Sequence, residues 1–278
     1  MIWKCGTSAV NLDRPVIMGI LNVTPDSFSD GGKWLDAKSA LKCAERLLAD
    51  GAAIIDVGGE STRPHATPVA EEEEWNRIKN VVGPLCAAGA IVSVDTYHPG
   101  TAKRALDAGA SAINCVKPAE SVPEIVDAVA QYGAGLVLMH SRESEPATSS
   151  FGIVDEVEAF LQKEKDFAVS RGVAANALAV DPGVGFGKTR QEDVMLLGSY
   201  ARLSKLGPSV VACSRKRVVG MLSGIENAAE RDGASAAIAL SCAFCGARIL
   251  RVHNVRAVKK LLDACLNDNF AGHKMEAE

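Results

Sequence analysis

The sequence predicts a single α/β domain folded as a (β/α)₈ (TIM) barrel, and three observations support this fold class. Short apolar runs rich in Val and Ile alternate with longer segments of helical spacing, as expected for parallel strands joined by helical crossovers. Eight such units occur, which is the number in a barrel of this type. The first strand is followed by Asn22-Val-Thr-Pro-Asp26 and not by a glycine-rich dinucleotide fingerprint, so a closed barrel is favoured over an open doubly wound sheet.

Strand and helix segments alternate without an intervening linker or low-complexity tract. The candidate strands cover residues 15–22, 52–58, 90–95, 110–115, 134–140, 177–182, 209–214 and 247–252. Glycine precedes five of these strands, where a helix must end and glycine accepts a left-handed conformation without steric cost. These glycines are Gly51, Gly89, Gly109, Gly133 and Gly246. We therefore expect one barrel domain over residues 1–267 and a disordered polar tail over residues 268–278.

Two polar segments mark helix starts. Ser121 and Glu124 have the spacing of a capping box, in which each side chain binds the other residue's backbone amide, so we predict that the fourth helix opens there. The run Glu71–Glu74 predicts a solvated first helical turn, because carboxylates are favourable at the positive end of the helix dipole.

Composition and charge exclude several classes of protein. The formal net charge of −4 provides no basic field, so we expect no nucleic-acid partner and no binding to a membrane surface. The N-terminus lacks a signal-peptide pattern and no apolar run approaches the roughly 20 residues that span a bilayer, so we expect a cytoplasmic protein. The eight cysteines are scattered and expected to be reduced; the CxxC pair Cys242 and Cys245 lacks the further ligands of a zinc site.

Polar side chains stand at the C-terminal end of each predicted strand, on the rim that carries the active site in such barrels. In chain order they are Asn22, Asp56, Asp95, Asn114, His140, Asp181 and Ser214, with Arg251 and His253 at the last strand. A single residue of this kind is more often a helix cap or a satisfied loop residue. A complete ring is costly to desolvate unless a ligand or water pairs it, so the sequence predicts a pocket for a small polar molecule.

The ring divides into two kinds of chemistry. Ser214, Arg251 and His253 follow the seventh and eighth strands, where barrels commonly bind phosphate, so we expect an anionic group there. On the opposite arc, the carboxylates and amide suit a planar heterocycle with ring N–H and amino donors; they belong to Asp95, Asn114 and Asp181. Lys216 can serve both halves, and the amide oxygen of Asn22 suits a Mg²⁺ ion that also contacts substrate phosphates.

The segment Gly183-Val-Gly-Phe-Gly-Lys-Thr189 resembles a nucleotide-binding P-loop. That motif requires glycine five positions before Gly187, and position 182 is Pro. We therefore reject the P-loop interpretation.

At these residues the chain resembles the dihydropteroate synthase family. The matching segments are GILNVTPDSFSDGG (19–32), IIDVGGESTRP (54–64), SVDT (93–96), IN (113–114), LMH (138–140), DPGVGFGK (181–188), SRK (214–216) and RVH (251–253). They occur in order along nearly the whole chain, and the first two are long and family-specific. The resemblance implies a transferase that condenses 6-hydroxymethyl-7,8-dihydropterin diphosphate with p-aminobenzoate, giving 7,8-dihydropteroate and pyrophosphate.

The resemblance also implies roles for individual residues. The pterin site would comprise Asp95, Asn114, Met139, Asp181, Gly185, Phe186 and Lys216. The p-aminobenzoate site would comprise Phe28, Thr62, Arg63, Pro64 and Lys216. The diphosphate would contact Asn22, Ser214, Arg251 and His253, with Mg²⁺ bound through Asn22. The catalytic residues would be Asp95, Asp181, Lys216 and Arg251.

Family resemblance further implies a homodimer formed through helices six to eight. Sulfonamides mimic p-aminobenzoate, so the resemblance also implies that they inhibit this protein. The segment Ser61-Thr-Arg-Pro64 continues directly into His65 without inserted residues, so the sequence gives no positive sign of sulfonamide resistance. The loops after the first two strands are expected to close over the substrates as lids.

Three departures from the family pattern keep two alternatives open. Cys115 and Asn254 stand where the family usually has Asp, and Ser-Arg-Glu-Ser-Glu-Pro after His140 lacks the usual Met-Gln-Gly-like continuation. One alternative is a paralogue that binds pterin without synthase activity. The other is the related pterin-binding barrel of corrinoid-dependent methyltransferases, which has no need of a diphosphate cradle.

Overall fold

The computed structural model describes residues 1–24, 32–61, 67–142 and 152–266, with the side chains of the first helix described from residue 37. The β-strands are β1 Ile2–Cys5, β2 Ser8–Asn11, β3 Val16–Asn22, β4 Ile54–Gly58, β5 Val92–Asp95, β6 Ala112–Cys115, β7 Gly135–Met139, β8 Leu178–Asp181, β9 Val210–Val211 and β10 Ile249–Val252. The α-helices are α1 Gly32–Ala49, α2 Glu71–Ala87, α3 Pro99–Asp107, α4 Pro123–Tyr132, α5 Ile153–Ser170, α6 Arg190–Leu197, α7 Tyr200–Leu203, α8 Arg217–Ser223, α9 Asp232–Phe244 and α10 Val255–Cys265.

The strands β3 to β10 form one parallel sheet in the order β8-β7-β6-β5-β4-β3-β10-β9. A parallel bridge between Val180 and Ser209 joins β8 to the residue before β9 and completes the ring. The predicted barrel and its eight strands are therefore confirmed. β9 is shorter than the predicted 209–214, because the chain leaves the sheet ahead of a left-handed residue at Arg215, with φ 61°.

The helices cover the outside of the barrel with apolar faces. In α10, Val255, Val258 and Leu262 are buried, and their spacing of three and four residues puts them on one side of the helix. Burial of each such side chain contributes about 1.5–3 kcal/mol before the entropy cost. Among the described residues, every helix is too short or too polar to cross a bilayer.

An antiparallel hairpin of β1 and β2 covers the N-terminal end of the barrel. Trp3 is fully buried in a cluster with inward-facing strand residues such as Met18 and Ile54. Its indole N–H donates to the Ala177 carbonyl at 2.8 Å. A Cβ on Gly135 would lie 2.9 Å from the Trp3 ring, so only glycine leaves room for it. This hairpin was not predicted from the sequence.

The local predictions at helix ends had mixed outcomes. All five glycines before the strands have positive φ, from 58° at Gly133 to 115° at Gly246, as predicted. The capping box at Ser121 was wrong: Pro123 fixes the first position of α4, so the cap position falls on Val122. The Ser121 hydroxyl instead donates to the Pro118 carbonyl at 2.7 Å.

The acidic run 71–74 begins α2 as predicted, but it is not wholly solvated. Glu74 is buried and accepts a hydrogen bond from the Thr96 hydroxyl at 2.7 Å. Thr96 directly follows β5, so Glu74 ties the start of α2 to the strand that carries Asp95.

Candidate active site

Strand register pairs predicted site residues near the C-terminal mouth of the barrel. Asp95 on β5 pairs with Asn114 on β6, and Met139 on β7 pairs with Asp181 on β8. All four side chains are buried. Because neighbouring parallel strands are about 4.8 Å apart, the two members of each pair lie side by side on the barrel wall.

Arg251 reaches from β10 to a pair of carboxylates on β4 and β5. Its Nε donates to Asp56 Oδ2 and its Nη2 donates to Asp95 Oδ2, each at 2.6 Å. Asn114 Nδ2 also donates to Asp56 Oδ2, at 3.1 Å. The structure thus gathers Arg251 with the predicted pterin residues Asp95 and Asn114, whereas the sequence analysis grouped its guanidinium with Ser214 and His253.

Asp56 is the site residue to which the sequence analysis gave no role. It is fully buried within β4 and binds both Arg251 and Asn114. The signal was available, since an aspartate inside the apolar run Ile54-Ile55-Asp56-Val57 needs a partner in a buried strand.

Two buried carboxylate oxygens point to a ligand. Among the described residues, Oδ1 of Asp56 and Oδ1 of Asp95 accept no hydrogen bond. Leaving a buried acceptor unpaired costs about 1–3 kcal/mol, which a bound molecule with N–H donors would recover. The mouth is therefore suited to a ligand that donates several hydrogen bonds.

The Asp95 carboxyl is held close to its titration point at neutral pH. Burial raises its pKa to about 7, Arg251 opposes this rise, and the carboxylates of Asp56 and Glu74 add to it. Burial also raises the pKa of Asp181, while Lys216 opposes that shift. Both groups are therefore sensitive to any charge brought into the mouth.

The turn after β8 joins Asp181 to Lys216. Asp181 Oδ1 accepts a hydrogen bond from the Gly183 amide at 2.7 Å. The Lys216 ammonium donates to the Val184 carbonyl at 2.7 Å and lies 4.5 Å from the Phe186 ring centroid. Gly185 has φ +84°, and a Cβ there would be 3.2 Å from Lys216 Cδ. Gly185, Phe186 and Lys216, predicted from the resemblance as pterin residues, are therefore in mutual contact.

Ser214 and His253 also come together as predicted for neighbouring strand ends. Ser214 Oγ lies 2.9 Å from His253 Nδ1, and it accepts a hydrogen bond from the His253 amide at 3.3 Å. Asn22 ends β3, which lies between β10 and β4 in the sheet, and its backbone pairs with Gly58. The donors predicted for an anion thus occupy one arc of the mouth.

Some predicted residues lie outside the described part of the chain, and one strand-end residue, His140, faces a helix. Phe28 and the run Thr62, Arg63 and Pro64 lie outside the described residues, as do 143–146 of the divergent stretch after His140. The His140 ring faces α5: its Nε2 is 3.4 Å from Glu156 Oε1, and its plane is edge-on to Phe160 at 4.8 Å between centroids. Burial lowers the pKa of His140 to about 4, so this side chain is neutral at neutral pH.

The two single-residue departures have defined contacts. Burial raises the pKa of Cys115 to about 12, so it is an uncharged thiol, and its Sγ lies 3.5 Å from the Lys117 carbonyl. Asn254 accepts a hydrogen bond from the Ala257 amide at 3.0 Å, which caps α10, and donates to Asp232 Oδ2 at 3.1 Å. Aspartate at position 254 would keep the cap but lose the donor to Asp232.

A separate cleft of about 520 Å³ opens at the other end of the barrel, beside the start of β3 and the end of α10. Its lining includes Arg14, Val16, Gly51, Lys259 and Leu262. None of the strand-end polar residues lines it, so we place the chemistry at the mouth.

Comparison with known proteins agrees with this assignment. The family model described as pterin binding enzyme matches residues 18–253. A dihydropteroate synthase of Streptococcus pyogenes serotype M1 is 42% identical over 244 residues, covering 87% of this chain and 91% of its own. The structure of Xanthomonas albilineans dihydropteroate synthase with 4-aminobenzoic acid has a TM-score of 0.91 at 41% identity, covering 96% of this chain and 98% of that one.

A second structure of the Xanthomonas albilineans enzyme, in complex with 7,8-dihydropteroate, has a TM-score of 0.86 at 38% identity, with 97% of this chain and 99% of that one covered. These similarities extend over the strands that carry the polar mouth. The chain therefore belongs to the family of pterin binding enzymes and, within it, to the dihydropteroate synthases.

Proposed function

We propose that this chain condenses 6-hydroxymethyl-7,8-dihydropterin diphosphate with p-aminobenzoate, releasing 7,8-dihydropteroate and pyrophosphate. One observation carries the proposal: a single mouth joins buried acceptors with unpaired oxygens, on Asp56 and Asp95, to the cations of Lys216 and Arg251. Similar enzymes have been solved with 4-aminobenzoic acid and with 7,8-dihydropteroate. The same family membership makes the reaction a transfer that forms a C–N bond.

The pterin ring would bind against the carboxylate arc. Its ring N–H and amino groups would donate to Asp95 and Asp181, and Asn114 can either donate or accept. Met139 and the Phe186 ring would pack against its faces. Arg251 donates to Asp95 Oδ2 at 2.6 Å, so a pterin donor would pair with the other oxygen, Oδ1, and the guanidinium would keep the carboxylate in place.

The diphosphate would bind Ser214, Arg251, His253 and Asn22. We propose Mg²⁺ as the cofactor. Among the described residues no cluster of three His, Cys, Asp or Glu side chains forms a protein cage for a metal. Mg²⁺ does not need one, because it binds oxygen and commonly uses one or two protein ligands together with substrate phosphates and water. Asn22 would supply the amide oxygen, and the bound ion would neutralise charge on the departing pyrophosphate.

The chemistry requires no protein nucleophile. The bond between the pterin methylene carbon and the diphosphate oxygen breaks, and pyrophosphate leaves with the electron pair. The positive charge on the pterin is delocalised by its ring nitrogens and stabilised by Asp95 and Asp181. Arg251 and His253 stabilise the growing negative charge on the leaving group. The amine of p-aminobenzoate then attacks the methylene carbon and loses a proton.

We propose that p-aminobenzoate binds between Lys216 and the segments that follow β3 and β4. These strands are neighbours, with Asn22 paired to Gly58 in register, so the chain leaves both at adjacent points of the mouth. Phe28, Thr62, Arg63 and Pro64 belong to these segments. Sulfonamides, as p-aminobenzoate mimics, would compete for the same pocket.

We also propose that two copies associate through α6 and α8. Val194 and Met195 on α6 are 36% and 52% exposed, and Met221 and Leu222 on α8 are 42% and 51% exposed. The two helices pack against each other, so we infer that these side chains form one apolar patch. Exposed patches of this kind commonly mark an interface.

Steady-state turnover tests the function directly. The purified chain, supplied with the pterin diphosphate, p-aminobenzoate and Mg²⁺, is expected to form dihydropteroate and pyrophosphate in equal amounts. Tight pterin binding without turnover would establish a binding paralogue instead. Methyl transfer from methyltetrahydrofolate, with no pyrophosphate released, would establish the methyltransferase alternative.

A further inference from the structure

Lys188 is a buried lysine whose ammonium group is surrounded by backbone carbonyls. Its side chain is 7% exposed. The Nζ atom donates to the carbonyl of His140 at 3.0 Å, of Gly183 at 2.9 Å and of Phe186 at 3.0 Å. An ammonium group has three N–H donors, so every donor is used, and none goes to a carboxylate.

Three inward-pointing carbonyls form the kind of ligand set that binds a bare monovalent cation. Here the cation is the ammonium group of a lysine and is covalently part of the chain. The charged groups that act on it are Asp181 of β8 and Asp193 of α6, which favour its charge, and Arg142 after β7 and Lys216 before α8, which oppose it. Burial is the largest influence and lowers the pKa of Lys188 to about 8.

Two of the three carbonyls belong to the turn 183–187, and the third, that of His140, follows β7. The Gly183 amide donates to Asp181 Oδ1 at 2.7 Å and the Gly185 amide donates to Asp193 Oδ1 at 2.6 Å, so two side chains already tie the turn to β8 and α6. Gly183, Gly185 and Gly187 all have positive φ, at 68°, 84° and 64°. A Cβ on Gly183 would lie 1.8 Å from the His140 carbonyl oxygen, and one on Gly187 would lie 2.2 Å from the Arg142 carbonyl oxygen. Glycine permits this path but does not enforce it, because glycine has the largest conformational freedom of any residue. Lys188 adds a constraint that ties the turn to the end of β7, because its ammonium binds the carbonyls of Gly183 and Phe186 together with that of His140.

The opposite side of the same turn holds Lys216. The Val184 carbonyl accepts from Lys216 Nζ at 2.7 Å, and the Phe186 ring lies beneath that ammonium at 4.5 Å. Phe186 therefore serves both lysines, offering its carbonyl to Lys188 and its ring to Lys216. A shift of the turn would move the acceptor and the ring that orient Lys216.

We propose that Lys188 is a positioning residue whose ammonium acts as a built-in monovalent cation, fixing the turn 183–187 so that Lys216 is aimed into the pterin site. The proposal rests on the proposed function, because its main readout is synthase turnover. A displacement of about 1 Å at a catalytic group can cost on the order of 100-fold in rate, so a residue outside the mouth can control the reaction.

The first test removes the charge and keeps the volume. Lys188→Met is expected to lower kcat by about 10- to 100-fold with the barrel still folded by circular dichroism. Lys165→Met is the matched control, since Lys165 on α5 also donates to a backbone carbonyl, that of Leu206, which lies outside the turn; its kcat should equal that of the unsubstituted chain. Unchanged kcat in Lys188→Met would overturn the proposal.

Chemical rescue is the second test, and a general loss of packing would not reproduce its result. Lys188→Ala leaves the three carbonyls facing a space the size of a propylammonium ion. Methylammonium, ethylammonium or propylammonium is expected to restore part of kcat with saturation, whereas tetramethylammonium, which has no N–H donor, should not at the same ionic strength. Failure of every primary ammonium ion to raise kcat would contradict the cation role.

The pH profile provides a readout independent of the Ala variant. A neutral amine has two N–H donors, so above about pH 8 one of the three carbonyls loses its donor. The unsubstituted chain should lose kcat through this range, and Lys188→Met should lack that decline. An identical alkaline decline in both would count against the proposal.

These experiments distinguish a failure of the proposed synthase function from a failure of the positioning role of Lys188. If the unsubstituted chain shows no synthase turnover, the proposed function fails first. In that case the pterin diphosphate's dissociation constant, measured by calorimetry for the unsubstituted chain and for Lys188→Met, becomes the readout. Weaker binding in the variant supports the positioning role, and equal binding overturns it.

Discussion

For the Asp95 carboxyl group, folding favours the protonated form and catalysis requires the ionised form. Its carboxyl is buried beside Asp56 and depends on Arg251 for compensation. Burial raises its pKa to about 7, well above its value of about 4 in an unfolded chain. Because the folded state resists its ionisation, this group favours folding most at low pH, and that contribution is lost as pH rises from about 4 through 7.

Catalysis by contrast needs the ionised form of Asp95, so kcat/KM of the unsubstituted chain should rise with pH through about 7. Asp95→Asn should remove this rise and lower kcat/KM by about 100- to 1000-fold, the usual effect of losing one electrostatic stabiliser. Its Tm at pH 8 should not fall, because the cost of burying the charge is also removed. Asp263→Asn, on the exposed face of α10, is the control. Near-normal turnover in Asp95→Asn would refute the proposal that Asp95 stabilises the pterin cation.

A residue's place in the mouth could be predicted from the sequence where its position along a strand puts it there. Contacts that depend on the reach of a long side chain could not be predicted. Asn114 and Asp181 could be assigned to the mouth because both lie in the C-terminal part of a strand. The pairing of Arg251 with Asp56 could not, because these residues are 195 positions apart and meet only through the long guanidinium side chain. No spacing in the sequence encodes which of several carboxylates such a side chain will select.

At the scale of elements, the turn between β9 and α8 is held in an unfavourable conformation. Arg215 has φ 61°, which costs a non-glycine residue about 1 kcal/mol or more. Its guanidinium donates to both carboxylate oxygens of Asp232, at 2.6 and 2.9 Å, and its amide donates to Ser235 Oγ at 3.0 Å. Arg231 donates to the Arg215 carbonyl at 3.0 Å. These contacts neutralise Arg215 and fix the residues on either side of it.

Asp232 should therefore control both the stability of this turn and the placement of Ser214 and Lys216. We expect Asp232→Ala to lower the free energy of unfolding by about 1–3 kcal/mol, since it leaves Arg215 and Asn254 without an acceptor. It should also lower kcat/KM by about tenfold or more. Asp127→Ala removes an exposed pair with Arg171 and should change stability by less than about 1 kcal/mol. Equal effects of both substitutions on urea unfolding and turnover would contradict this assignment.

Element prediction depended on how much sequence each element provides. The barrel strands were found because apolar runs such as Val16–Leu21 and Leu136–Met139 are preceded or followed by clear helical patterns. The β1–β2 hairpin was missed because its two short strands mix polar and apolar residues and neither is followed by a helical pattern. Its role in closing the barrel comes from contacts between Trp3 and distant strands, which local pattern does not contain.

At the scale of the whole molecule, the apolar patch on α6 and α8 predicts self-association. Met195→Lys combined with Met221→Lys places charge in the patch and should convert a dimer into a monomer, measured as a halved mass by light scattering. Val169→Lys on α5 alters another exposed apolar residue, at 44% exposure, and should leave the mass unchanged. A monomeric unsubstituted chain, or a double variant of undiminished mass, would contradict the proposed interface.

We expect stability to depend on the N-terminal end of the barrel and turnover to depend on the C-terminal mouth. Trp3 fills the N-terminal end, whereas Asp95, Asp181 and Arg251 line the C-terminal mouth. Trp3→Ala should lower the free energy of unfolding by about 3–5 kcal/mol, because it opens a cavity and leaves the Ala177 carbonyl without its donor. At a temperature where the variant remains folded, kcat/KM should stay within about twofold of normal, since barrel function resides at the opposite end. Trp75→Ala is the control: this ring lies partly buried on α2 under the Arg104 guanidinium, at 5.6 Å, and its removal should cost less than the Trp3 substitution in urea unfolding. A fall in turnover that parallels the loss of stability would show that the hairpin shapes the mouth as well as closing the base.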